Sequence, residues 1–393
     1  MDLVWNIVAN IYNVTFSLYF FIIAGLMFLI SKRGFKSNNR YGGGSTIVCG
    51  IIFIIFGVFN LILPRENGSY FGLLPYPFNG FMVWWIGIIL LVNYLFALIM
   101  RRNIKKVDNI KINGLPLDGG IVKLKPLQKY VVFIKNESPY KEQISIKMEA
   151  IRKAFHLCCI LILLAYYGFF FLAPLTSLVN DSIIIFIKQV EWSYNLLWGS
   201  VSDYPYVPLD PQAVIDLTFF ALIAALIFTI TSELIRVLWG PEYSLFNVVT
   251  RAILRNKEYN AIGPQIYLLA GVIFSYLLFI MGLVLDSVVM ASIVIACISD
   301  ALAALIGRKY GTHKIKCING DIKSLEGFIA GSGSAFIIGL MFLGPIYGLI
   351  TGLIFFLLDY FPLSIADNLL NPIMITVGVM LVSLLLPGLT IGW

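Results

Sequence analysis

Long apolar runs separated by short polar stretches set the pattern of this chain. Ten such runs fall at about 10–30, 46–63, 82–100, 155–174, 213–235, 264–285, 287–306, 327–343, 345–358 and 373–390. A helix crosses a bilayer in roughly 17–25 residues, so the pattern predicts an all-α polytopic membrane protein with about ten transmembrane helices. The ninth run is short, and "SIIIFIKQVEWSYNLLW" (182–198) reads as a re-entrant or interfacial segment. One region departs from the pattern. Within 101–148, "NGLPLDGG" and "IVKLKPLQKYVVFIKN" alternate in short β-like runs cut by Gly and Pro, predicting a small ordered β-containing insert. The chain therefore divides into a three-helix membrane region (1–100), a basic insert (101–148) and a membrane domain (149–393) whose helices carry more polar residues.

Composition supports this division. Of 393 residues, 59% are hydrophobic and 12% charged, with mean hydropathy +0.89. Soluble domains carry about 25% charged residues, which excludes an ordinary soluble enzyme. Basic residues concentrate in 31–45, 101–153, 236–257 and 308–323, which hold 26 of the 28 Lys and Arg. With ten spans, all four regions lie on one side, which the positive-inside rule makes cytoplasmic. Loop 175–212 has one lysine against Asp181, Glu191, Asp203 and Asp210, as an outside loop should, and both termini are expected outside. Topology accounts for most of the net charge of +7, and no nucleic-acid partner is required by it. The first run has neither a leading lysine cluster nor a small-residue cleavage site and is expected to be retained. Cys49, Cys158, Cys159, Cys297 and Cys317 show no metal-ligand spacing and read as packing residues.

Four polar clusters are expected at the cytoplasmic side. The first is "EAIRKAFH", with Arg152, Lys153 and His156 near one helical face. A basic membrane flank explains it alone, but the chain has only two histidines. The second is "TSELIRVLWG", where Glu233 and Arg236 are three apart and can pair with each other; Arg255 and Glu258 come later, in "LRNKEYNAIGP". The third is "CISDALAALIGRKYGTHKI" (297–315). A carboxylate at mid-membrane costs about 2.5–3.5 kcal/mol, so Asp300 requires a position near one face and a partner. Asp300, Ala303, Ala304 and Gly307 form a small-residue strip, suited either to tight helix packing or to a ligand. Asn319-Gly320 predicts a hairpin turn. Lys323, Ser324, Glu326 and Gly327 then lead into the eighth run, as a plain helix start or as a phosphate site at a helix N-terminus. The fourth is "DYFPLSIADNLLNPIMI", where Asp367 and Asn368 either cap the last helix or meet the basic clusters.

"SDALAALIGRKYG" followed by "KSLEG" resembles the signature of the CTP-dependent lipid kinases, which include dolichol, phytol and CTP-using diacylglycerol kinases. These are grouped with the phosphatidate cytidylyltransferases. "RKAFH", "ELIR", the later "LR" with Glu258, and "ADNLLNP" resemble further family segments in the same order, covering about 149–393. Residues 1–148 carry no resemblance, and Ser299 stands where the family usually has glycine.

The resemblance implies phosphorylation of a lipid alcohol, most like dolichol or polyprenol, by CTP at the cytoplasmic face of a prokaryotic plasma membrane or endoplasmic reticulum. Mg²⁺ is the implied cofactor, with Asp300 as its first ligand and Asp367 its second. Arg308 and Lys323 would hold the phosphates, joined by Ser324, Gly327, Arg152 and Asn368. Lys153 joins the catalytic set, and the base is open among Glu233, His156 and Asp300. The alternatives are a cytidylyltransferase making a CDP-lipid and, in a different class, a transporter or scaffold. A transporter often has two similar halves with interrupted helices, and no such duplication is visible.

Overall fold

The computed structural model describes residues 3–65, 68–112, 125–136, 150, 153–154, 161, 172–199, 211–247, 261–317, 322–361, 363 and 365–392. The protein is a helical membrane protein. Its first three helices are α1 (Leu3–Lys36), α2 (Arg40–Ile62) and α3 (Phe78–Ile112). Then come α4 (Pro126–Asn136), α5 (Ala173–Gln189), α6 (Glu191–Trp198) and α7 (Pro211–Leu238). The last part holds α8 (Pro264–Ile280), α9 (Asp286–Val294), α10 (Asp300–Lys309), α11 (Leu325–Leu343), α12 (Pro345–Tyr360) and α13 (Asp367–Leu385). Two antiparallel pairs complete it: β1 (Pro64–Arg65) with β2 (Tyr70–Phe71), and β3 (Lys314–Lys316) with β4 (Ile322–Ser324). The second pair is the hairpin expected around Asn319-Gly320, whose turn lies outside the described residues.

Among the described residues, seven helices are long and apolar enough to cross a membrane, fewer than the ten expected. Two expected spans form shorter apolar helices, α8 and α12, of 17 and 16 residues. Most of a third, 155–174, lies outside the described residues.

Two described parts of the insert at 101–148 differ from expectation, while 113–124 and 137–148 lie outside the described residues. Residues 101–112 continue α3, and the apolar run in "PLQKYVVFIKN" is α4, not a strand. Pro126 takes the first helical position, where its missing N–H costs nothing. Gln128 Oε1 accepts from the Lys125 N–H at 2.9 Å, closing the first turn from within. Val131 and Val132 are then buried against Met100, Ile104 and Val107, one stripe of α3.

Glycine contacts set the helix spacing. A Cβ on Gly34 would sit 3.3 Å from Gly43 Cα, so α1 and α2 meet backbone to backbone. Such small-residue seams bring membrane helices together where lipid gives no hydrophobic drive. Phe20, Phe56 and Phe219 continue the core from this pair into α7, with ring centroids 4.7 and 5.7 Å apart. Hydrogen bonds join the first three helices to the rest: Tyr19 to Thr231 at 2.9 Å, Thr46 to Tyr267 at 2.9 Å, and Trp85 Nε1 to the Ala224 carbonyl at 3.0 Å. Away from water such groups must be satisfied by protein, so these bonds fix how the two parts dock.

Candidate active site

The span from Asp286 to Lys309 is not a uniform helix. Residues Ile295–Ser299 form a π turn, and Asp300 is the first residue of α10 beyond it. A π turn inserts one extra residue and re-aims the side chains beyond it; such turns recur at functional sites. Here it separates a buried apolar segment from the turn that carries the carboxylate.

Asp300 Oδ2 accepts from Lys153 Nζ in an ion pair across 147 positions. The lysine side chain is 4% exposed and the carboxylate 19%, so the pair opens on its acidic side. This is the partner that the cost of burying Asp300 required. A second pair lies close by. Lys323 Nζ donates to Asp359 Oδ1 and, at 3.0 Å, to the Asp359 carbonyl. Burial works against the Lys323 ammonium, but the Asp359 and Asp367 carboxylates outweigh it and hold its pKa above the ordinary lysine value. Asp367, in the first turn of α13, lies within electrostatic reach of Lys323, Asp300, Asp359 and Lys153. Among the described residues its carboxylate makes no ion pair. Among the described residues, three carboxylates thus gather around two ammonium groups.

The other expected site residues divide between braces, caps and the surface. Glu233 Oε1 accepts from Arg236 at 2.7 Å and from the Gly263 N–H at 2.7 Å, while Arg236 also donates to the Ala261 carbonyl at 2.7 Å. Both side chains are 1% exposed, so this pair is a closed brace between α7 and the segment leading into α8. Ser324 caps α11: its Oγ accepts from the Gly327 N–H at 3.2 Å and donates to the Gly307 carbonyl at 3.3 Å. That is the plain helix-start geometry. The small-residue strip likewise serves packing, since a Cβ on Gly327 would lie 2.8 Å from the Ala303 carbonyl. Arg308 is exposed in the last turn of α10, about 12 Å along the axis from Asp300 at 1.5 Å per residue. Asn368 is buried beside Asp367. Neither Asp367 nor Asn368 is the cap of α13; that position is Ala366, and no side chain of its own caps the helix. Arg152, His156, Arg255 and Glu258 lie outside the described residues.

Asp359 is the residue that sequence reasoning missed. It closes the apolar helix α12, and the argument that singled out Asp300, a carboxylate at the end of an apolar run, applies to it equally.

Fold and cluster together define a polytopic helical membrane protein with an acid-rich, lysine-paired site at one end of its bundle. Over 127 residues the chain is 34% identical to CTP-dependent diacylglycerol kinase 1 of Saccharomyces cerevisiae, a stretch that is 32% of this chain and 40% of that relative. No family model and no solved structure matches the chain.

Proposed function

We propose that the protein is a CTP-dependent lipid kinase that transfers the terminal phosphoryl group of CTP to a lipid alcohol and releases CDP. The observation that carries this reading is the convergence of Lys153, Asp300, Lys323, Asp359 and Asp367, drawn from distant parts of the chain, at one site. Phosphoryl transfer needs positioning and charge stabilisation more than covalent chemistry, and this set supplies cations and carboxylates without a nucleophile. The similarity to the yeast kinase supports the same chemistry.

The donor set fits Mg²⁺ of a particular kind. Among the described residues, no three His, Cys, Asp or Glu side chains form a cage that would hold a metal unaided. Mg²⁺ bound through nucleotide needs only one or two carboxylates, with phosphate oxygens and water completing its shell. Asp300 and Asp367 would supply those carboxylates, and the ion when bound would neutralise charge on the phosphates. Lys153 holds Asp300 in position, and Lys323 stays protonated to meet a phosphate. Glu233 is committed to Arg236 and Gly263, which leaves Asp300 and His156, the latter outside the described residues, as bases for the lipid hydroxyl.

The orientation implied by the basic loops puts this site at the cytoplasmic face, where a hydroxyl held between helices meets a water-borne nucleotide. All ten apolar runs are spans in this reading, α8 and α12 among them. Polyprenol or dolichol is the acceptor that the sequence resemblance favours; the yeast relative favours diacylglycerol. Purified protein given CTP with polyprenol, diacylglycerol or phosphatidate decides. The kinase yields CDP and a lipid monophosphate from one of the alcohols. Pyrophosphate and a CDP-lipid from phosphatidate would instead identify a cytidylyltransferase.

A further inference from the structure

The first three helices have no role in the proposed reaction so far, yet one of them reaches the site. Ser45 of α2 is fully buried, and its hydroxyl donates to the Tyr41 carbonyl one turn back at 2.7 Å. That bond fixes the rotamer and leaves the oxygen lone pairs facing out of the helix. They accept the Ala366 N–H at 2.8 Å, across 321 positions. Ala366 is the cap residue of α13, and the next residue is Asp367.

A comparison inside the molecule shows what this bond replaces. In α4 the N–H of the cap residue Lys125 is held by Gln128, three residues on, as in a capping box. In α13 the corresponding residue is Leu369, which has no acceptor. The task passes to Ser45 from a distant helix. Its neighbours reinforce the junction. Thr46 Oγ1 lies 2.9 Å from the Tyr267 hydroxyl, which also donates to the Gly42 carbonyl at 3.3 Å. A Cβ on Gly42 would lie 2.5 Å from Ala261 Cβ, beside the Glu233–Arg236 brace.

We infer that Ser45 is a positioning residue: it caps α13 in trans and sets the carboxylate of Asp367, so that the N-terminal helices are part of the kinase machinery. The inference rests on the proposed role of Asp367. Ser45→Ala should lower kcat about tenfold with little change in the lipid KM. Amide exchange across residues 366–370 should rise at least tenfold in the ligand-free protein, while exchange in α12 is unchanged. Ser45→Cys keeps the side-chain shape with a slightly larger atom that is a poor acceptor, and it carries the same test if the alanine variant does not fold. In an Asp367→Asn background, Ser45→Ala should lower the residual kcat no further. Full activity in Asp367→Asn alone would overturn the role of Asp367 and with it this inference. A strongly impaired Asp367→Asn combined with unchanged kcat and exchange in both Ser45 variants would overturn the positioning role alone. Additive losses in the double variant would reduce Ser45 to general packing, and so would a matched fall in kcat and rise in KM.

Discussion

Two of the acid–base pairs among the described residues look alike in a contact diagram and differ in what surrounds them. Glu233 and Arg236 are three residues apart, both 1% exposed, and Glu233 also binds the Gly263 N–H. Among the described residues the two charges close on each other. Lys153 and Asp300 are 147 positions apart, and the carboxylate side stays partly open. Around them, among the described residues, lie Asp367, Asp359 and Lys323, so the pair shares its charges with a wider cluster. A balanced, sealed pair has no capacity left for a ligand. An open cluster whose carboxylates are shared can take up an arriving cation, and it already holds ammonium groups to meet phosphate. The difference teaches that in a membrane protein a buried ion pair is a brace when its charge closes on itself, and a candidate site when it does not.

The largest effect should come from the open pair. Asp300→Asn preserves shape and removes charge; turnover should fall about 10²–10³-fold, the scale of losing one well-aimed electrostatic contact. The melting temperature should fall less than in Glu233→Gln, because Asp367 still lies within electrostatic reach of Lys153. Initial-rate assays beside a thermal shift measurement check both halves. Activity near wild type would place Asp300 among the braces.

Glu233→Gln reverses the pattern. Leaving Arg236 buried without its counter-charge should cost about 3–5 kcal/mol of stability, seen as a lower melting temperature in detergent. The folded fraction should retain its nucleotide affinity. A stable Glu233→Gln protein without activity would move Glu233 into the chemistry and erase the contrast.

Lys323→Ala should weaken nucleotide binding by about 1.5–3 kcal/mol, since charge-assisted contacts away from water are the strong ones. Arg308→Ala should weaken it less, because Arg308 is exposed. Calorimetric titration reads both. The raised pKa of Lys323 has a sign that can be followed: its contribution to stability is complete below the ordinary lysine value and is lost as pH rises through the higher folded one. No inflection from Lys323 should therefore appear in nucleotide affinity between pH 6 and 9, taken as roughly the range below an unperturbed lysine. The smallest effect belongs to Lys129→Ala, exposed on the outer side of α4, where screening should leave affinity unchanged. Equal losses at Lys129 and Lys323 would reduce the basic residues to topology.

Much of this was legible in the chain, and the failures have physical causes. Apolar runs gave the membrane class because nothing else explains so many of them. They overcounted long helices because the run from 264 stops at Ile280, where Gly282 takes a positive φ, and the run from 345, already short, forms only 16 residues of helix. Short apolar runs do not separate strand from helix, and α4 was decided by a Gln128 cap and a stripe on α3 that alternation does not reveal. Asp300 stood out because an unpaired carboxylate in lipid is expensive. Lys153 is also among the sequence candidates, but its pairing with Asp300 was not readable, since no local rule links residues 147 apart. The Glu233–Arg236 pairing was readable from its spacing of three. The strip at Ala303 and Gly307 was ambiguous in principle, because small side chains suit close helices and bound ligands alike.

The central claim is that the open cluster transfers a phosphoryl group from CTP to a lipid alcohol. The most direct test follows the label of γ-³²P-CTP in a single turnover by the purified protein in lipid alcohol vesicles, beside the Asp300→Asn variant. Label should move into a lipid monophosphate with wild-type protein, and remain on bound nucleotide with the variant. Label recovered in pyrophosphate, or transferred at the wild-type rate by Asp300→Asn, would contradict the account.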